Sequence, residues 1–328
     1  MSVSLPIELR AVLSSGKISA ADVLSMRRSF YGDAKISATE ADWLFALNDG
    51  CKNADPAWDI FFVEALTDYA VFQMKPEGYI DDATANWLIS KIDTDGTVKT
   101  TSELELLINV LEKSQSSPGQ LVKYALEQVK HAIIFGSGPA RNGLTLEPGA
   151  VGAADVAMLR RVLYAYGGDR NVSITQDEAE VLFDINDATV SAKNDAAWVD
   201  LFAKAIANHI MMASGYQAPS REDALHLGKW VDDTSTDVGS FFTRMVGGLK
   251  DVVDLYKRDN DTLDQGQLKQ GIAIAESERV TESEAQWLVE RMNRDGNLSE
   301  AERAVLSFIK REATDVHPSL LPLLDRVA

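Results

Sequence analysis

A chain of 328 residues with 45% apolar and 25% charged residues is long enough for two domains and has the composition of an ordinary soluble globular protein. Its formal net charge of −18 disfavours nucleic acid and anionic membrane, whose phosphates it would repel, and suits a cationic partner or a divalent cation. Apolar runs are short and broken by charge, Cys51 stands alone, and Met1–Arg10 lacks a basic start and an apolar stretch. The expectation is a cytoplasmic protein without membrane insertion or disulfides.

Residues 1–18 are weakly patterned. Ser19 then caps a helix through Tyr31, which Gly32 and Asp33 stop. Ile36-Ser37-Ala38-Thr39-Glu40 joins an apolar staple to a capping box, in which the Ser hydroxyl and the Glu carboxylate satisfy each other's backbone amides. The helix it opens carries Trp43, Leu44 and Leu47 and ends at Asn48-Asp49-Gly50. Asp55 and Pro56 start a longer helix. Trp58, Phe61, Phe62, Ala65, Tyr69 and Phe72 fall on one face of it and are expected in the core.

Beyond Pro76-Glu77-Gly78, Ile80-Asp81 opens a helix with Trp87, Leu88 and Ile92. The turn Asp93-Thr94-Asp95-Gly96-Thr97-Val98 leads to a helix with Leu104, Leu107, Ile108 and Leu111. Ser116-Ser117-Pro118-Gly119 precedes another stripe, Val122 to Ile133. Residues 135–152 are rich in Gly and Pro and read as a linker.

Past the linker the chain repeats itself. Residues 153–164 match 20–31 at seven of twelve positions. Ile174-Thr175-Gln176-Asp177-Glu178 repeats the box at 36–40, Asn186-Asp187-Ala188 echoes Asn48-Asp49-Gly50, and Ala197-Trp198 repeats Ala57-Trp58. Ser220 through Asp232 then parallels Asp81 through Asp93. The repeating unit is roughly 110 residues, the size of a domain. A weaker box at Thr262–Gln267 follows, then Val280-Thr281-Glu282-Ser283-Glu284 and Leu298-Ser299-Glu300-Ala301-Glu302, each a staple and box. No alternating strand pattern of useful length occurs, so the fold class is all-α, a duplicated multi-helix unit. The expected organisation is a first copy over 1–134, the linker over 135–152, a second copy over 153–257 and a C-terminal helical part over 258–328 packed on the second copy.

The interhelical turns resemble EF-hands, whose twelve-residue loop offers oxygens at positions 1, 3, 5, 7, 9 and 12 around a glycine at 6. That resemblance implies sites for Ca2+ or Mg2+. The best uses Asn293, Asp295, Asn297 and Glu302, with Gly296 at position 6. The next uses Asp93, Asp95, Thr97 and Glu103, with Gly96 at position 6 and Glu103 one residue late. Position 1 departs from the family pattern: it is Arg291 in one turn and Lys91 in the other, where a cation calls for an anionic oxygen. Glu77-Gly78-Tyr79-Ile80-Asp81-Asp82 and Asp95-Gly96-Thr97-Val98 also look like tellurite-resistance TerB-type helical domains.

Enzyme signatures are missing from the sequence. His131, His209, His226 and His317 are dispersed, and His209 lies on an apolar stripe where the first copy has Tyr69, the place of a core histidine. Cys51 has only Lys52 nearby to activate a thiolate. The tryptophans sit at core spacing. The sequence therefore reads as a non-enzymatic helical protein acting on an unidentified protein partner along grooves between helices. The alternative is a calcium- or magnesium-binding sensor or buffer, and a third class is a hydrolase using a metal held by distant carboxylates.

Overall fold

The structure is a computed structural model that describes residues 5–32, 35–94, 96–136, 138, 148–165, 174–212, 279–280, 282–294, 296–313 and 315–327. Among them the fold is all-α, with strands of two residues each that only clip turns together. No helix of the described residues is long and apolar enough to cross a membrane. The chain divides into two compact units: Met1–Pro148 with Arg161–Arg170, and Gly149–Arg160 with Asn171–Ala328.

The first unit contains α1 (Ile7–Ser15), α2 (Ala20–Phe30), α3 (Ala38–Gly50), α4 (Pro56–Thr67), α5 (Asp82–Ile92), α6 (Thr101–Lys113) and α7 (Gly119–Phe135). Short polar side chains start most of them. Ser19, Ser37 and Thr100 form complete capping boxes with Asp22, Glu40 and Glu103, while Asp55 and Asp81 cap α4 and α5. At the end of α3, a Cβ on Gly50 would come within 2.2 Å of the Leu13 Cδ1 atom, so a larger residue there would turn the Leu13 side chain of α1 aside. The strands Lys17–Ile18 and Asn53–Ala54 pair in parallel below that contact.

Aromatic rings fill the centre of this unit. Phe45 of α3 meets Phe62 of α4 edge-on at 5.5 Å and Trp87 of α5 at 5.8 Å. Trp58 lies 5.9 Å from Phe62, and Tyr69 lies 5.3 Å from Trp87. Trp58, Phe61 and Phe62 are all buried. Burying one such side chain contributes about 1.5–3 kcal/mol. The stripe on α4 does not continue as expected. The α-helix ends at Thr67 and passes into a π-helical turn, Asp68–Gln73, which changes the angular spacing of side chains. Phe72 leaves the core and is 43% exposed.

The second unit contains most of α8 (Ala153–Leu163), then α9 (Gln176–Thr189), α10 (Ala196–Met212), α11 (Glu282–Met292), α12 (Glu300–Glu312) and the short α13 (Leu321–Leu324). Thr175 with Glu178 and Ser299 with Glu302 are complete capping boxes. Here Phe183 of α9 meets Phe202 of α10 at 5.0 Å and Trp287 of α11 at 5.6 Å. Trp198 lies 5.6 Å from Phe202, and His209 lies 5.0 Å from Trp287. The stretches Ser220–Asp232 and Thr262–Gln267 lie outside the described residues. Among the described ones, Trp287 is the ring beside Phe183 and His209, as Trp87 is beside Phe45 and Tyr69.

Candidate functional site

Two places in the first unit bear on function: the α5–α6 turn and a groove along α4 and α6. In the turn, Asp93 Oδ1 accepts the Gly96 amide at 2.8 Å, and the strands Asp93–Thr94 and Thr97–Val98 pair antiparallel around it. Gly96 has φ +84°, a left-handed conformation that any residue with a Cβ adopts at a cost. Gln128 of α7 braces the turn from below: its Oε1 accepts the Val98 amide at 2.9 Å and its Nε2 donates to the Gly96 carbonyl at 3.2 Å. Thr97 is half-buried beside it, and Asp95 lies outside the described residues.

Glu103 faces away from this turn. It is 1% exposed, with Oε2 accepting the Thr100 amide at 3.0 Å and Oε1 accepting Asn48 Nδ2 at 3.2 Å. Asn48 Oδ1 in turn accepts Trp58 Nε1 at 3.1 Å and the Ser102 hydroxyl at 3.2 Å. Burial pushes the Glu103 carboxyl above its ordinary value, and the Thr100 and Asn48 hydrogen bonds pull the other way. Lys91, at the first position of the turn, also points elsewhere, to Asp42 of α3 at 2.6 Å.

The second unit shows the same division. Glu302 is buried and accepts the Ser299 amide at 2.7 Å. Asn186 donates to the Ser299 hydroxyl at 3.1 Å. Gly296 has φ +76°, and Arg326 donates to its carbonyl at 3.2 Å and to Asn293 Oδ1 at 3.3 Å. Asn297 is exposed and Asp295 lies outside the described residues. Arg291 is buried, ion-paired with Glu180 at 3.0 Å, Asp184 at 2.5 Å and Asp187 at 3.5 Å, and lies 5.2 Å from the centre of the Phe183 ring.

The turn glycines thus stand as expected, but Glu302, at position 12, and Glu103, one residue late, each complete a capping box. The position-1 cations bind acids of the helices before them. Gly96 and Gly296 carbonyls are taken by Gln128 and Arg326. One carboxylate of each implied site, Asp95 and Asp295, lies outside the described residues, and among the described residues no three His, Cys, Asp or Glu side chains gather as metal ligands.

The groove is the larger feature, about 990 Å3. Ser102, Asn109, Thr67 and Asp59 line it, with Ile60 and Phe72 as its apolar part. Ile60 is 67% exposed. The Thr67 hydroxyl approaches Asn109 Oδ1 at 3.4 Å. Desolvation in the concavity holds the Asp59 carboxyl above its usual value, with the Ser102 hydroxyl opposing. Cys51 also lines the groove but is buried, and burial raises its thiol, the opposite of an activated nucleophile.

Counting from the ring pairs Trp58–Phe62 and Trp198–Phe202, the second unit has Val199 and Ala207 at the positions of Asp59 and Thr67. Counting from the boxes Thr100–Glu103 and Ser299–Glu302, it has Ala301 and Phe308 at the positions of Ser102 and Asn109. Ala207, Ala301 and Phe308 are buried. The polar lining therefore belongs to one unit, while the ring cluster occurs in both. None of the groove residues forms a sequence motif. The available signal was the substitution of polar for apolar residues between the two halves.

Comparison with protein-family models, curated proteins and solved structures finds no match for this chain.

Proposed function

We propose that the chain is a non-enzymatic binding protein built from two copies of one helical unit, and that it engages a partner protein through the groove on α4 and α6. One observation carries this reading: a similar ring-packed scaffold takes apolar residues at these positions in the second unit. The fold therefore does not demand Asp59, while in the first unit Thr67 and Asn109 bond each other and Ser102 bonds Asn48. Polar groups on a concave wall lose hydration and return stability only when partnered, so a lining kept without structural need points to a ligand.

A photo-reactive amino acid placed at Ile60, and at exposed Val190 of the second unit as control, tests it. The reading expects a defined protein adduct from Ile60 alone. Adducts that are the same from both positions, or none from Ile60, contradict it. The alternative, Ca2+ or Mg2+ held at the turns, is distinguished by melting the protein in excess metal and in chelator. A site saturated 100-fold above its Kd would add about 2.7 kcal/mol. The binding reading expects superimposable curves.

A further inference from the structure

We propose that the π-helical turn Asp68–Gln73 is the device that presents Phe72 to the groove, and that Gln73 is the positioning residue that holds this turn. Its value to a partner rests on the groove being the binding surface.

A helix that stayed α beyond Thr67 would not expose Phe72. Phe72 follows Phe61 by eleven residues, so at 3.6 residues per turn the two would lie within about 20° of each other around the axis. Phe61 is fully buried. Instead the Met74 amide reaches back five residues to the Tyr69 carbonyl at 3.1 Å. Ala70 and Val71 stay buried, while Phe72 emerges and joins Ile60 in lining the groove.

The second unit shows the other register. There α10 continues as an α-helix to Met212, the position of Phe72 when counted from Trp198 and Phe202. On it Asn208 Oδ1 accepts the amide of buried Ile174 at 2.7 Å, just before the capping box of α9. The matching amide of the first unit, that of buried Ile36, needs an acceptor as well. Asp68 stands at the position of Asn208 but accepts the Tyr31 hydroxyl at 2.6 Å. The Ile36 amide goes to Gln73 Oε1 at 2.7 Å, from a residue five places further along. One buried amide is thus satisfied from either of two places on the helix facing it. With the acceptor at the earlier place, as in α10, the helix stays α; with it at Gln73, the backbone between is wound as π. Turns of this kind are rare and concentrate at functional sites. Here the result is one aromatic ring turned out of the core and into the groove.

Replacing Phe72 by para-fluorophenylalanine in the full chain tests the proposal. The change in its fluorine resonance between light and heavy water reports exposure without any ligand. Gln73→Leu removes the acceptor and Gln73→Asn shortens its reach by one methylene, so either variant is read if the other does not fold. In both, the solvent shift is expected to fall toward that of a buried ring, as Asp68 takes over the Ile36 amide, and the Ile60 adduct is expected to be lost. Gln73→Glu keeps an acceptor oxygen and should keep both signals. A solvent shift unchanged by Gln73→Leu and Gln73→Asn overturns Gln73 as the holding residue and leaves the groove reading standing. A shift that falls while the adduct persists overturns the presentation of Phe72 to a partner. A parent chain without an adduct at Ile60 overturns the groove reading itself, and the fluorine shift still decides what holds the turn.

Discussion

The two units solve one packing problem and differ in what they do with polar groups. In the first, Trp58 Nε1 is bonded to Asn48, which is bonded to Glu103, and the network reaches Ser102 at the groove. In the second, Trp198 Nε1 has no hydrogen-bond partner among the described residues, and the polar investment moves to Arg291 with Glu180, Asp184 and Asp187. Ring packing is common to both, and the polar groups around it are not. The contrast separates what the scaffold requires from what each unit adds.

The largest effect expected from breaking the contrast is at Arg291. Its side chain is 1% exposed, so Arg291→Met removes its ion pairs with Glu180, Asp184 and Asp187 together and should destabilise the second unit by about 3 kcal/mol. Lys91→Met, at the matching turn position, removes a pair that is 30% and 35% exposed and should cost the first unit about 1 kcal/mol or less. Hydrogen exchange resolved to α11 and α5 reads the two separately. Equal losses would show that the position-1 cations serve one role in both turns.

Next in size is the tryptophan pair. Trp58→Phe loses a buried hydrogen bond to Asn48 Oδ1, which keeps the Ser102 hydroxyl, a change of about 0.5–1.5 kcal/mol beyond the lost ring area. Trp198→Phe removes an unpartnered donor and should cost less, although both rings are buried to the same degree. Denaturant titrations of the two variants check the order, and a larger loss at Trp198 would contradict it.

Smaller, but opposite in sign between units, is the response to pH. His209 is buried, and burial lowers its pKa, while its Nδ1 pairs with the Ile174 carbonyl at 2.8 Å. A lowered histidine is neutral when folded and binds its proton when unfolded. Its contribution is present above the ordinary value of about 6.5 and is lost as pH falls through that value toward the lowered one. Glu103 is raised by burial, so its contribution is full below the ordinary glutamate value of about 4.3 and fades as pH rises through the raised value. Acidification from neutrality should therefore loosen α10 while α6 holds or tightens. Hydrogen exchange corrected for intrinsic rates checks this, and His209→Gln should flatten the response of the second unit.

Helix starts were readable in the sequence because a cap is local: Ser37 with Glu40, Thr175 with Glu178 and Ser299 with Glu302 lie three residues apart, and the structure pairs each. At α6 the cap also sets the register. Thr100 as cap places Glu103 as its partner, which is why Glu103 fell one residue late when the turn was read as a metal loop. Phe72 was misplaced because a single π-helical turn shifts spacing without any marker residue such as proline or glycine. The Asn48–Glu103 and Trp287–Glu180 bonds join residues 55 and 107 apart, and no local periodicity encodes them. The groove was illegible for the same reason: its walls come from two helices brought together by the rings between them.

The central claim is that the groove lining serves a ligand and not the fold. Replacing Asp59, Thr67 and Asn109 by Val, Ala and Phe, the residues of the second unit, tests it in one variant that leaves the Ser102–Asn48 bond intact. The account predicts that the first unit keeps or gains stability in denaturant titration, by up to about 1–2 kcal/mol from added apolar burial, while the Ile60 adduct disappears. Loss of several kcal/mol, or an adduct that persists, would contradict it.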